Sequence, residues 1–70
     1  MRINKPYTLQ LDNGVEIFAG SVVTMRIKYH GWVTGMITAI INDAIMWEEL
    51  GAEQINFTEL WLIEEVEVVE

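Results

Sequence analysis

The sequence predicts a mostly β domain of short antiparallel strands, and three observations carry that reading. Apolar and polar residues alternate with a period of two, as in Val23, Met25 and Ile27 against Thr24, Arg26 and Lys28. β-branched and aromatic side chains fill the alternating runs. Asn13-Gly14, Gly31 and Asn42-Asp43 punctuate them with residues that hairpin turns favour.

The first strands lie near Pro6, which an edge strand tolerates because its missing donor faces solvent. A two-residue loop at Asn13-Gly14 would set Leu11 opposite Glu16 and Gln10 opposite Ile17, mixing apolar and polar side chains on one face. A three-residue loop, Asp12-Asn13-Gly14, pairs Leu11 with Val15, Gln10 with Glu16 and Leu9 with Ile17, and Gly14 supplies the left-handed residue. Met1 to Gly20 therefore reads as a separate hairpin. The same logic puts a second loop at Tyr29-His30-Gly31, with Ile27 opposite Val33, Val23 opposite Ile37 and Gly35 facing Met25.

After Ile41, Asn42-Asp43 either starts a third hairpin or caps a short helical turn over 44–50 that ends at Gly51. The hairpin is preferred, because a loop of Asn42 to Ala44 pairs Ile41 with Ile45 and Ala39 with Trp47, a small residue against a large one. Gly51-Ala52 then separates strands at Ile55 to Phe57 and Leu60 to Val68, joined by a tight turn at Thr58-Glu59. Five to six strands at this spacing predict a small antiparallel barrel of the SH3-like or Sm-like kind, one domain over residues 1–70. Closure would hide the sheet edges.

Seventy residues bury only about 60% of the surface of the unfolded chain, which leaves a narrow margin of stability. With no Cys and one His, disulfides and a structural metal are closed as remedies, so association is expected. An apolar share of 51% with three Trp and four Met points the same way, to a homo-oligomer. No apolar run follows Met1 to Lys5 and none is long enough to span a membrane, so a cytoplasmic chain without a leader is expected.

Charge is divided unevenly. Residues 1–42 carry Arg2, Lys5, Arg26 and Lys28 against Asp12 and Glu16, a net +2, whereas 43–70 carry Asp43 and eight Glu with no cation, a net −9. A basic stripe is the expected footprint of backbone binding to nucleic acid, and this distribution opposes it.

Catalysis is disfavoured by inventory. The one Ser and one His, Ser21 and His30, sit ten residues apart at a strand start and a hairpin tip, which separates them as a nucleophilic dyad. Glu48-Glu49 and Glu64-Glu65 are adjacent and so point to opposite faces of a strand. Gly31 and Gly35 lack the Lys-Ser/Thr of a phosphate loop, and no cofactor or metal is expected.

Two groups of residues stand out as candidate sites. Arg26, Lys28 and Trp32 share the outer face of the second hairpin, with Lys28 opposite Trp32, so cation and aromatic either stack a base or ring or simply shield one another. Leu60, Trp61 and Leu62 break the alternation, and a strand apolar on both sides must be covered on both, which predicts contact with another chain.

The runs Val23 to Tyr29 and Gly35-Met36-Ile37 with Ile40 and Ile45, then Ile55 to Leu60 with Ile63-Glu64, resemble the YolD-like family of small bacterial and phage proteins. The resemblance covers 23–64 and does not extend to the basic, Trp-containing N-terminal segment of that family. It implies an Sm-like sheet and a non-catalytic accessory role near error-prone DNA synthesis, often on phage or plasmid genomes, and it names no site residue. Together these readings lead to a protein-binding adaptor or inhibitor whose acidic half meets a basic partner. The alternative is a barrel that binds single-stranded nucleic acid or a nucleotide on its Arg/Lys/Trp face.

Overall fold

A computed structural model describes residues 1–5 and 7–69, so the expectation for Pro6 lies outside the described residues, as does Glu70. Eight strands follow in chain order: β1 (Arg2–Asn4), β2 (Thr8–Gln10), β3 (Glu16–Ile17), β4 (Val22–Ile27), β5 (Gly31–Ile41), β6 (Ala44–Glu49), β7 (Ile55–Glu59) and β8 (Ile63–Val68). A 3-10 turn, Leu60–Leu62, joins the last two. The strands form two antiparallel sheets, β1-β2-β3 and β7-β6-β5-β4-β8.

The first hairpin has the register its apolar pattern requires. Leu9 opposes Ile17 and Gln10 opposes Glu16. The loop closes with Leu11 N–H donating to Val15 O at 2.8 Å and Gly14, at φ +88°, donating to Leu11 O at 3.0 Å. The segment is more than a hairpin, however, because β1 pairs with β2 and sets Ile3 opposite Leu9. Three residues of Arg2-Ile3-Asn4 are too short a run to show a period, which hid this strand.

The second hairpin turns earlier than its pattern suggested. Ile27 opposes Gly31, Arg26 opposes Trp32, Met25 opposes Val33 and Val23 opposes Gly35. The loop is therefore Lys28-Tyr29-His30, and the pairs Ile27 with Val33 and Val23 with Ile37 do not form. Backbone geometry decides this: Tyr29 at φ 68° and Gly31 at φ 95° tighten the turn, and His30 N–H reaches Ile27 O at 3.0 Å. The slip is two positions, so every side chain keeps its face. Val23, Met25, Ile27, Val33 and Ile37 are all buried.

The third hairpin also forms, and 44–49 is strand rather than a helical turn. Its turn is Asn42-Asp43, which pairs Ile41 with Ala44 and Ile40 with Ile45 in place of Ile41 with Ile45. A bulge between Ile37 and Ala39 then brings Ile37, not Ala39, opposite Trp47. The extra residue, Thr38, resets the alternation. Inward positions run Val33, Gly35, Ile37 and then Ile40, and Ile41 faces solvent.

At the C-terminal end, β7 continues through Glu59, so no tight turn lies at Thr58-Glu59. The three consecutive apolar residues after it form the 3-10 turn instead of a strand. Three residues per turn send successive side chains in different directions. Leu60 and Leu62 pack against the core while Trp61 remains 65% exposed. Backbone bonds pin the turn at both ends, from Leu60 N–H to Asp43 O at 2.8 Å and from Lys28 N–H to Leu62 O at 2.7 Å.

This turn returns β8 to the first strand of the large sheet, with Met25 opposite Val66 and Arg26 opposite Glu65. The predicted mostly β class holds, with eight strands among the described residues rather than five or six. The barrel is not closed: β7 and β8 are the two ends of the sheet order. Leu9 and Ile17 of the small sheet pack with Val23, Met25, Ile37 and Ile45 of the large one, and this shared core makes one unit of the two sheets. Fully burying each such side chain stabilises the fold by about 1.5–3 kcal/mol. Among the described residues no helix is long and apolar enough to cross a membrane.

Candidate functional site

Pairing of β8 with β4 builds the site. On the outer face of the large sheet, Trp32 of β5, Arg26 of β4 and Glu65 of β8 form one cross-strand row. The Arg26 guanidinium carbon lies 5.9 Å from the centroid of the Trp32 ring. Its Nη2 is 3.5 Å from Glu65 Oε2 and its Nε 3.8 Å from Glu64 Oε1. In the next row, Thr24 and Thr34 share a hydrogen bond of 3.0 Å beside Glu67.

Lys28 does not stand opposite Trp32, because the register slip puts Arg26 there. Its ammonium instead lies 5.7 Å from the Tyr29 ring and 6.0 Å from the Trp61 ring. The indole N–H of Trp61 donates to Glu59 Oε2 at 2.5 Å. Two residues assigned to different roles by the sequence, Lys28 and Trp61, thus converge. Of the predicted interface residues only Trp61 projects outward; Leu60 and Leu62 belong to the margin of the core.

Tyr29 is the residue that the sequence reading missed. It is 90% exposed at the hairpin tip. An aromatic residue at positive φ is uncommon, and its place in a turn that Asn or Gly would fill more easily was the available signal.

These contacts contribute little to stability. The side chains of Arg26, Glu64 and Glu65 are each about half exposed, and solvent screening leaves such pairs worth about 0–1 kcal/mol. An exposed cation over an aromatic face adds roughly 0.5–1 kcal/mol. The aromatic surfaces stay open, with Trp32 52% exposed.

Around them the charge is one-sided. Among the described residues Arg26 pairs with Glu64 and Glu65, whereas Asp43, Glu48, Glu49, Glu53, Glu59 and Glu67 have no cation within salt-bridge distance. Ser21 lies just before β4 and His30 beyond its other end, about 20 Å of strand apart. No group of three His, Asp or Glu among the described residues is placed to hold a metal ion.

No protein-family model matches this chain, and no match to it is found among the curated proteins or the solved structures. The resemblance of residues 23–64 to the YolD-like family rests on the sequence pattern alone.

Proposed function

We propose that this protein is a non-catalytic protein-binding module, an adaptor or inhibitor, that self-associates through Trp61 and presents its acidic half to a partner with a basic surface. The observation that carries the reading is the set of carboxylates with no cation within salt-bridge distance among the described residues, Asp43, Glu48, Glu49, Glu53, Glu59 and Glu67, on a chain that also exposes the rings of Tyr29, Trp32 and Trp61. Exposed Trp and Tyr are the side chains that most often anchor protein interfaces, and the surrounding charge steers and selects the partner.

The arrangement of cations supports a protein partner over nucleic acid. Phosphates require free cations, yet Arg26 is engaged by two carboxylates, which leaves Lys28 alone on this face without a carboxylate partner among the described residues. The strand laid beside Arg26 is also the most acidic in the chain, with Glu64, Glu65 and Glu67.

Tryptophan fluorescence during titration tests the reading, with a peptide rich in Lys and Arg as one probe and oligothymidine as the other. Saturable quenching by the peptide that weakens with salt is expected, together with no response to oligothymidine. Quenching by oligothymidine that persists at physiological salt and is lost in Trp32→Ala would replace the protein-binding reading with the nucleic-acid one. Sedimentation velocity tests the association: Trp61→Glu is expected to give a monomer where the parent chain is larger, and a parent chain already monomeric at micromolar concentration would contradict it.

A further inference from the structure

Strand β7 is an end strand of the large sheet, and beyond it no strand follows among the described residues. Natural sheets protect such an edge with Lys, Pro or a bulge. Here Ile55-Asn56-Phe57-Thr58 carries no charge and no Pro, and β7 pairs with β6 without a register shift. Ile55 is 47% and Phe57 59% exposed. The edge is open to another strand.

A groove of about 270 Å³ runs beside this edge, lined by Asn56, Phe57 and Thr58 of β7 and by Leu62 of the 3-10 turn. Ile27, Trp47 and Leu62 give it apolar walls, while His30, Gln54, Asn56, Thr58 and Glu49 supply polar groups. Among the described residues Glu49 is its only carboxylate and has no cation within salt-bridge distance. Apolar walls with one carboxylate suit a side chain made of a methylene stem and a cationic head.

We propose that β7 and this groove receive an extended cationic segment of a partner protein, added as a strand to the β7 edge, with one Lys or Arg side chain laid along the groove to Glu49. Main-chain hydrogen bonds give such strand addition its affinity and alternate side chains its specificity. The occupant follows from charge. A second copy would bring another net −7, and its own β7 holds no cation to place against Glu49. A basic segment neutralises both the groove and the acidic flanks, Glu53 and Glu59. The proposal rests on the reading that the partner is basic, and it assigns that partner a shape.

The test uses the full chain, isotope-labelled for NMR, and a short synthetic peptide of alternating Lys and Thr. Amide signals from Ile55 to Glu59 should shift on titration, and amide exchange along β7 should slow. Glu49→Gln, at an exposed position, should weaken binding by about two- to fivefold, the range that an exposed ion pair contributes. A peptide of the same sequence N-methylated at alternate residues, which cannot complete the strand ladder, should not bind. Shifts confined to Arg26, Trp32, Trp61 and β8 would overturn the β7 site and leave the basic-partner reading standing. Equal binding by the N-methylated peptide would also overturn strand addition. No binding of the Lys/Thr peptide even at low salt would overturn both.

Discussion

The indole of Trp47 occupies the space that a side chain on Gly35 would need. A methyl group on Gly35 would lie 2.8 Å from Trp47 Cε3 and 2.7 Å from the carbonyl oxygen of Glu48. Gly35 is buried at the middle of β5, opposite Val23 on one side and Glu49 on the other. The close approach of β6 at this point lets Trp47 turn into the core.

Gly35→Ala is therefore expected to destabilise the domain by about 1–3 kcal/mol, the usual cost of overpacking, because the backbone carbonyl cannot rotate away as a flexible side chain would. Thermal denaturation should show a fall in Tm of roughly 4–8 °C for each kcal/mol lost. An unchanged Tm would mean that β6 does not press on β5 here.

Thr58 has a comparable tie to Trp47. The indole N–H donates to Thr58 Oγ1 at 2.9 Å, and both residues are buried. Thr58→Val should cost about 1–3 kcal/mol by leaving that donor unpaired. Adding Trp47→Phe removes the stranded donor, so the double variant should lose less than the sum of the two single changes. Urea denaturation of the four proteins measures the coupling.

At the hairpin tip the expected sign reverses. Tyr29 takes a left-handed conformation that costs a side chain with Cβ roughly 1–2 kcal/mol and that Asn visits more readily. Tyr29→Asn is expected to raise stability by about 0.5–1 kcal/mol in the same assay. It should also weaken binding of a cationic peptide, because one exposed ring of the patch is lost. A stabilised variant with undiminished binding would remove Tyr29 from the interface.

Arg26 gives a further separation of stability from binding. Arg26→Gln breaks two half-exposed ion pairs and should change stability by less than about 1 kcal/mol. By releasing Glu64 and Glu65 it should increase affinity for a basic peptide. Weaker binding in this variant would mean that the guanidinium itself contacts the ligand.

The strands and their faces could be read from the chain because period-two alternation is local, and Leu9, Val23, Met25 and Ile45 all face the core as their positions require. Register proved harder. A two-position slip at Tyr29-His30 leaves the apolar pattern unchanged, so nothing in the alternation distinguishes Trp32 opposite Lys28 from Trp32 opposite Arg26. The bulge at Thr38 exchanged Ile40 for Ile41 in the core, and two adjacent Ile residues carry no signal of which turns inward. Leu60-Trp61-Leu62 looked like a strand needing cover on both sides, whereas a 3-10 turn satisfies the same residues within one chain. The candidate site depended on the least local feature of all, the return of β8 to β4, which set Glu65 beside Arg26.

Charge complementarity with a basic partner is tested most directly by the Kd of a peptide rich in Lys and Arg, measured across ionic strength with oligothymidine as the competing ligand. The proposed function predicts peptide binding that weakens steadily as salt is raised towards 0.15 M, where the screening length falls to about 8 Å, and that oligothymidine does not displace. Saturable binding of oligothymidine at physiological salt, with no binding of the peptide at any salt, would contradict it.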